Sequence, residues 1–110
     1  MKHNSNNLQN SYKQNIAEGI KQAKNQHFLE AKSYFTRAID QNPKKYEAYI
    51  NLANIYLVNN EVDQGLNLLF QYLNNNGFSK FISNYLGDIC IKYNLTDEIL
   101  QLFKIVDIDK

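Results

Sequence analysis

The sequence predicts an all-α fold, and three observations support that prediction. Apolar side chains recur at i, i+3, i+4 and i+7 along most of the chain, which is the spacing of one helix face. This pattern repeats with a period of 34 residues. One Pro and four Gly among 110 residues are also typical of a helical chain rather than of a turn-rich β protein.

The 34-residue period is visible in three rows of equivalent positions. These rows are Ala31, Gly65 and Ile99; Phe35, Leu69 and Phe103; and Gly19, Ala53 and Gly87. They divide one domain into three units, about 12–45, 46–79 and 80–110, after a polar tail over 1–11 that we expect to be disordered. Because each unit has two helical stretches, we predict six helices in three antiparallel pairs.

The first unit begins with a short apolar stripe that ends at a turn marked by Asn25. Its stripe comprises Ile16, Gly19, Ile20 and Ala23, and its second helix carries Phe28, Ala31, Phe35, Ala38 and Ile39. Pro43 closes the unit, because proline ends one helix and suits the first turn of the next.

The second unit has two apolar faces separated by Asn59-Asn60, since Asn tolerates the left-handed conformation of a tight turn. Its first helix presents Tyr49, Leu52, Ala53, Tyr56 and Leu57, and its second presents Val62, Gly65, Leu66, Leu69, Phe70 and Leu73. Asn76-Gly77 ends the unit, and Ser79 is the expected N-cap of the next helix.

The third unit repeats this plan around a turn at Asn94. Its first helix presents Ile82, Leu86, Ile89, Cys90 and Tyr93, and the last helix presents Ile99, Leu102, Phe103 and Val106. Cys90 is expected to serve as a small core residue rather than as a reactive thiol.

These rows of small and bulky residues resemble the tetratricopeptide repeat (TPR) family, whose unit is a 34-residue helix–turn–helix. The resemblance covers about residues 12–110, with Leu52-Ala53, Leu86-Gly87 and Pro43 at the family's positions. The chain departs from the family pattern where Tyr72 replaces a small residue and Gly77 replaces Pro. The resemblance implies a right-handed superhelical α-solenoid of three units, with a concave groove formed by the first helix of each unit.

The resemblance also implies that this groove binds a peptide or protein segment. The groove positions of the family correspond here to Glu47, Ile50, Asn51, Asn54, Phe81, Asn84, Tyr85 and Asp88, flanked by Lys13, Ile16, Ala17, Ile20, Leu57 and Lys92. Asn51 and Asn54 lie on one helix face, and each amide offers a donor and an acceptor, as an extended peptide backbone requires. Any one of these residues can equally be compositional or a half-buried packing residue, but as a set they favour a binding groove.

One subfamily, the chaperone-binding co-chaperones, captures peptide C-termini with a clamp of Lys, Asn, Asn, Lys and Arg. The equivalent positions here hold Ile16, Ile20, Asn51, Phe81 and Tyr85, so only Asn51 agrees. Because a buried carboxylate requires charge-assisted hydrogen bonds, we expect no tight capture of acidic chaperone tails.

The last helix has few polar sides, although the terminal helix of a solenoid should have a polar outer face. Leu100, Ile105 and Ile108 are therefore candidates for an assembly surface. Self-association, a dedicated partner helix, and a longer parent protein with further repeats or a catalytic domain all remain open. So does tolerated exposure at a frayed terminus.

Composition excludes several other classes of function. Twelve Lys+Arg against eleven Asp+Glu lack the basic excess of a nucleic-acid binder. We expect no catalytic residues, metal site or cofactor, because His3, His27 and the scattered carboxylates form no cluster at catalytic or metal-ligand spacing. With no signal peptide, no membrane span and a single cysteine, a cytoplasmic location is expected.

Overall fold

The computed structural model describes residues 11–97, and five helices form this part of the chain. They are α1 (Tyr12–Lys24), α2 (Phe28–Gln41), α3 (Glu47–Val58), α4 (Val62–Asn76) and α5 (Lys80–Tyr93). No strand occurs among these residues, which confirms the all-α prediction for them. The expected sixth helix, with Leu100, Ile105 and Ile108, lies outside the described residues, as do tail residues 1–10.

Two of the helices begin with a serine N-cap. Ser79 Oγ accepts a hydrogen bond from the Ile82 N–H at 3.3 Å, which confirms the predicted cap of α5. Ser11 Oγ accepts from the Gln14 N–H at 3.1 Å, and Gln14 Oε1 accepts from the Ser11 N–H at 2.8 Å. This reciprocal capping box fixes the start of α1. Ser11, the last residue of the expected tail, therefore belongs to the cap of the first helix.

The turn within each unit contains one residue with positive φ, and these residues are spaced by the repeat period. Asn60 and Asn94 have φ of 64° and 56°, as their predicted turn roles require. In the first unit the left-handed residue is Gln26, with φ of 64°, and Asn25, which was predicted to mark the turn, precedes it within that turn. Asn25 is the C-cap of α1, and its N–H still bonds back into that helix. The geometry of the turn thus places the left-handed conformation at residue 26, although Gln is a less favourable left-handed residue than Asn.

Pro43 lies in the loop between α2 and α3, and not in the first turn of α3 as predicted, because α3 begins only at Glu47. The second unit holds this loop in place. The Tyr72 hydroxyl donates to the Lys44 carbonyl at 2.6 Å, and Asn76 Nδ2 donates to the Pro43 carbonyl at 3.2 Å. Tyr72 also packs edge-on against Tyr49 at a centroid distance of 4.8 Å. The large residue that departs from the family pattern therefore connects two units.

Helix α3 is the central helix of the described part, and it contacts α1, α2 and α4. Six of its twelve residues are buried, and they lie on more than one side of the helix: Ala48, Tyr49, Leu52, Ala53, Ile55 and Leu57. A helix that is apolar on most sides belongs in an interior. Tyr56, predicted for the core face, is half-buried and packs against the core, with Lys32 Nζ 5.0 Å from its ring centroid. Leu57 is only 3% exposed and belongs to the core rather than to the groove.

The buried residues form two clusters that follow the order of the units. The first joins α2 to α3 and comprises Ala31, Phe35, Leu52 and Ile55. The second, larger cluster joins α3, α4 and α5 through Tyr49, Ala53, Leu57, Leu66, Leu69, Tyr72, Ile82, Leu86 and Ile89, with Leu95 beyond them. Ile39 and Leu68 pack against both clusters. Each cluster therefore includes residues of two neighbouring units, as in repeat proteins.

Close helix packing explains two of the small residues in the repeat rows. A Cβ built at Gly19 would lie 2.5 Å from Phe35 Cε1, and one at Gly65 would lie 3.2 Å from the Ala53 carbonyl oxygen. Gly87 differs, because a Cβ added there would meet no heavy atom of residues 11–97 within 4 Å. The predicted close approach of neighbouring helices thus occurs at Gly19 and at Gly65. The described residues show no such contact at Gly87.

Candidate functional site

The first helices of successive units run side by side in the same direction. At their N-terminal ends, the Tyr12 hydroxyl donates to Glu47 Oε1 at 3.0 Å and accepts from the Ala48 N–H at 3.2 Å. The Tyr46 and Phe81 rings stack with centroids 4.4 Å apart and planes 5° apart, which brings the start of α5 beside the start of α3. The N-terminal ends of α1, α3 and α5 therefore lie side by side.

A cleft of about 410 Å³ opens between α1 and α3. Its lining is mostly apolar and comprises Ile20, Ala23, Lys24, Gln26, Phe28, Phe35, Asn51, Asn54, Ile55 and Val58. A volume of this size lies within the usual range of ligand-binding pockets. Three residues that the sequence assigned to the groove, Ile20, Asn51 and Asn54, are thus brought together here.

The two amides in this cleft each use one half of the group inside the protein. Asn51 Nδ2 donates to the Glu47 carbonyl at 2.9 Å, and Asn54 Oδ1 accepts from the Tyr85 hydroxyl at 3.2 Å. Within residues 11–97, no hydrogen bond engages the Oδ1 of Asn51 or the Nδ2 of Asn54. The cleft therefore offers one acceptor and one donor, a pair that matches the N–H and C=O of a peptide unit.

Tyr85 fixes the orientation of the Asn54 amide from the neighbouring helix. Burial, together with a smaller effect of the nearby Tyr93, raises the pKa of the Tyr85 hydroxyl to about 12. The hydroxyl is therefore neutral near pH 7 and remains a hydrogen-bond donor. Since it donates to Oδ1, the Nδ2 of Asn54 is left to donate elsewhere.

The remaining predicted groove residues lie outside the cleft. Glu47 is engaged by Tyr12, whose pKa is raised chiefly by burial, although the hydrogen bond from the Ala48 N–H lowers it and the Glu47 carboxylate raises it. Ile50 is half-buried against the larger core cluster. Phe81 stacks on Tyr46, and Asn84 and Asp88 are exposed on α5, as are Lys13, Ala17 and Lys92 on the first helices.

Sequence reasoning missed the part of the cleft that comes from helix ends and turns. Lys24, Gln26, Phe28 and Val58 all contribute to the lining, and Lys24 is the one charged residue among them. A usable signal was present in the repeat register. Lys24 and Val58 are 34 positions apart, so a groove traced through equivalent positions would have included them.

The described residues offer little for other chemistry. Among residues 11–97, no three His, Cys, Asp or Glu side chains are placed to hold a metal ion. His27 Nδ1 lies 2.9 Å from Gln22 Oε1, and the half-buried Cys90 Sγ lies 3.5 Å from Thr96 Oγ1. No helix in this stretch combines the length and the apolar character that crossing a membrane requires.

Comparison with known families agrees with the repeat pattern and the paired helices. The family model described as tetratricopeptide repeat matches residues 22–79, which is more than half of the chain. The chain therefore belongs to the tetratricopeptide repeat family. No curated protein and no solved structure matched it. TPR units generally mediate protein–protein interactions, and the family is typically a non-catalytic module.

Proposed function

We propose that this chain is a TPR scaffold that binds an extended peptide or protein segment along the layer of α1, α3 and α5. The three units would continue as a right-handed superhelix with these helices on its concave side. The observation that carries the proposal is the cleft between α1 and α3, with its apolar lining and two amides.

The cleft supports this function because it combines two kinds of recognition. The Asn51 Oδ1 acceptor and the Asn54 Nδ2 donor suit the polar groups of a peptide backbone, which are the same in every sequence. The apolar wall, which includes Ile20 and Val58, suits one apolar side chain of the bound segment. Val58 is 51% exposed, so binding would remove apolar surface from water.

The first experiment is a peptide-library screen against the wild-type chain, followed by affinity measurements with Asn54→Asp. This substitution retains an acceptor for the Tyr85 hydroxyl but replaces the Nδ2 donor with a carboxylate oxygen. A carboxylate facing a peptide carbonyl leaves both groups without a donor, so we expect about tenfold weaker binding. Asn67→Asp, on the exposed side of α4, makes the same change of charge away from the cleft and should bind as the wild type does.

The outcome depends on the difference between the two variants. Equal affinities of Asn54→Asp and Asn67→Asp for every selected peptide would overturn the cleft as the binding site. Circular dichroism of both variants should first show unchanged helix content and melting temperature, because both residues are exposed.

A further inference from the structure

Aromatic rings and lysines alternate along the edge formed by the N-terminal ends of α1, α3 and α5. Lys45 Nζ lies 5.2 Å from the centroid of the Tyr12 ring, and Lys80 Nζ lies 5.5 Å from that of Phe81. The stacked rings of Tyr46 and Phe81 join these two pairs. We call these five residues the aromatic–lysine strip. It lies at the opposite end of α1 and α3 from the cleft.

The two ammonium groups of the strip have no carboxylate partner in the described part of the chain. The ion pair formed by residues 11–97 is elsewhere, between Lys32 Nζ and Glu61 Oε1 at 3.7 Å. The acidic group beside the strip, Glu47, accepts the hydrogen bond of Tyr12. Lys45 and Lys80 are exposed, so the side of each ammonium that faces away from its ring is open to solvent.

The rings hold these ammonium groups in place before any partner arrives. An ammonium attracted to a ring face samples fewer positions than a free lysine, so less side-chain entropy is lost when it binds an anion. Lys13 and Lys44 are also exposed at this edge, beside Tyr12 and Lys45. The formal net charge of +1 therefore conceals a local concentration of positive charge.

The strip favours a carboxylate-rich partner over a nucleic acid. Binding of single strands requires ring faces on which bases can stack. Here Tyr46 and Phe81 cover each other, and Lys45 lies over Tyr12. Nucleic-acid binding also requires neutralisation of many phosphates, which a chain of net charge +1 with four lysines on this edge does poorly.

We propose that the aromatic–lysine strip is a second docking surface, which binds an acidic segment of a protein partner through the Lys45 and Lys80 ammonium groups. This surface is separate from the cleft. A partner could occupy either one alone, or both with a segment that runs along α3.

The test is fluorescence anisotropy at low ionic strength with a labelled peptide in which Glu and Gly alternate. The same peptide with Gln in place of Glu controls for charge, and a labelled oligothymidylate of equal length tests nucleic acid. The key variant is Lys45→Gln with Lys80→Gln. Its matched control is Lys21→Gln with Lys92→Gln, which removes the same charge from exposed lysines elsewhere; Lys92 also lies over a ring, that of Tyr93.

We expect the Glu peptide to bind the wild type more tightly than the Gln peptide. Loss of two charge-assisted contacts should weaken that binding about fivefold in the Lys45/Lys80 variant. The Lys21/Lys92 control should weaken binding of the Glu peptide by about twofold or less. Equal binding of the Glu and Gln peptides, equal losses in the two variants, or tighter binding of the oligothymidylate would each overturn the proposal.

Discussion

Replacing Gly19 with Ala adds one methyl group at the closest packing contact between α1 and α2. The new Cβ would lie 2.5 Å from Phe35 Cε1 and 2.8 Å from both Phe35 Cδ1 and Cζ. Carbon atoms in contact normally lie about 3.5–4.0 Å apart, so the overlap reaches about 1 Å. The Phe35 ring is only 1% exposed and is enclosed by its cluster, which leaves it little room to move.

Two opposing effects set the size of the expected change. Overpacking of this severity lies near the upper end of its range, at about 3 kcal/mol. Ala is favoured over Gly inside a helix by about 1 kcal/mol. Gly19→Ala should therefore lower the free energy of unfolding by about 2 kcal/mol, which corresponds to about 10 °C in melting temperature.

Gly87→Ala is the matched control, because Gly87 occupies the equivalent position of the third unit. Among residues 11–97 no atom lies within 4 Å of the added Cβ, so the described part of the chain sets no overlap against the helix preference of Ala. That variant should be about 1 kcal/mol more stable than the wild type. Urea unfolding followed by circular dichroism measures both changes. If Gly19→Ala unfolds at the same urea concentration as the wild type or at a higher one, the packing argument is refuted.

The other predictions concern one hydrogen bond, one titration and one surface. Tyr72→Phe removes the hydrogen bond to the Lys44 carbonyl and should lower the free energy of unfolding in urea by about 1 kcal/mol; an unchanged midpoint would contradict this. Because burial raises the pKa of Tyr85 to about 12 from 10.0, the folded state retains the proton longer than the unfolded state. The stability that this group contributes should be complete below pH 10 and be lost as pH rises toward 12, and Tyr85→Phe should flatten that decline in urea titrations. A steeper or unchanged decline would contradict this assignment. Self-association through the assembly surface proposed from sequence predicts a wild-type dimer by light scattering and a folded monomer for Leu100→Glu with Ile108→Glu; a wild type that is monomeric at every concentration would exclude self-association.

The sequence predicted helix positions well because they depend on local chemistry and on the repeat. Ser79 caps α5, and Asn60 and Asn94 adopt left-handed conformations, as their side chains favour. Asn25 lies in the first turn as predicted, but the left-handed residue of that turn is Gln26, because the geometry of the turn selects one fixed position in every unit. The period itself would have identified this residue.

The candidate site was predictable in part. The amides of Asn51 and Asn54 follow from their place on the first helix of the second unit. The contribution of Phe28 does not, since it depends on how closely the turn after α1 approaches α3. Glu47 was expected to face a ligand, but a tyrosine 35 residues earlier in the chain engages it.

The sequence by itself determined the all-α class, the 34-residue unit and most helix ends, because apolar spacing, capping and turn preferences act within a few residues. Only the tertiary structure decided which side chains meet across units. Tyr72 holds the loop before α3, Tyr85 orients Asn54, and Phe81 stacks on Tyr46. Each of these contacts joins residues about 30 positions apart, and their geometry depends on how neighbouring units pack, which no local pattern encodes.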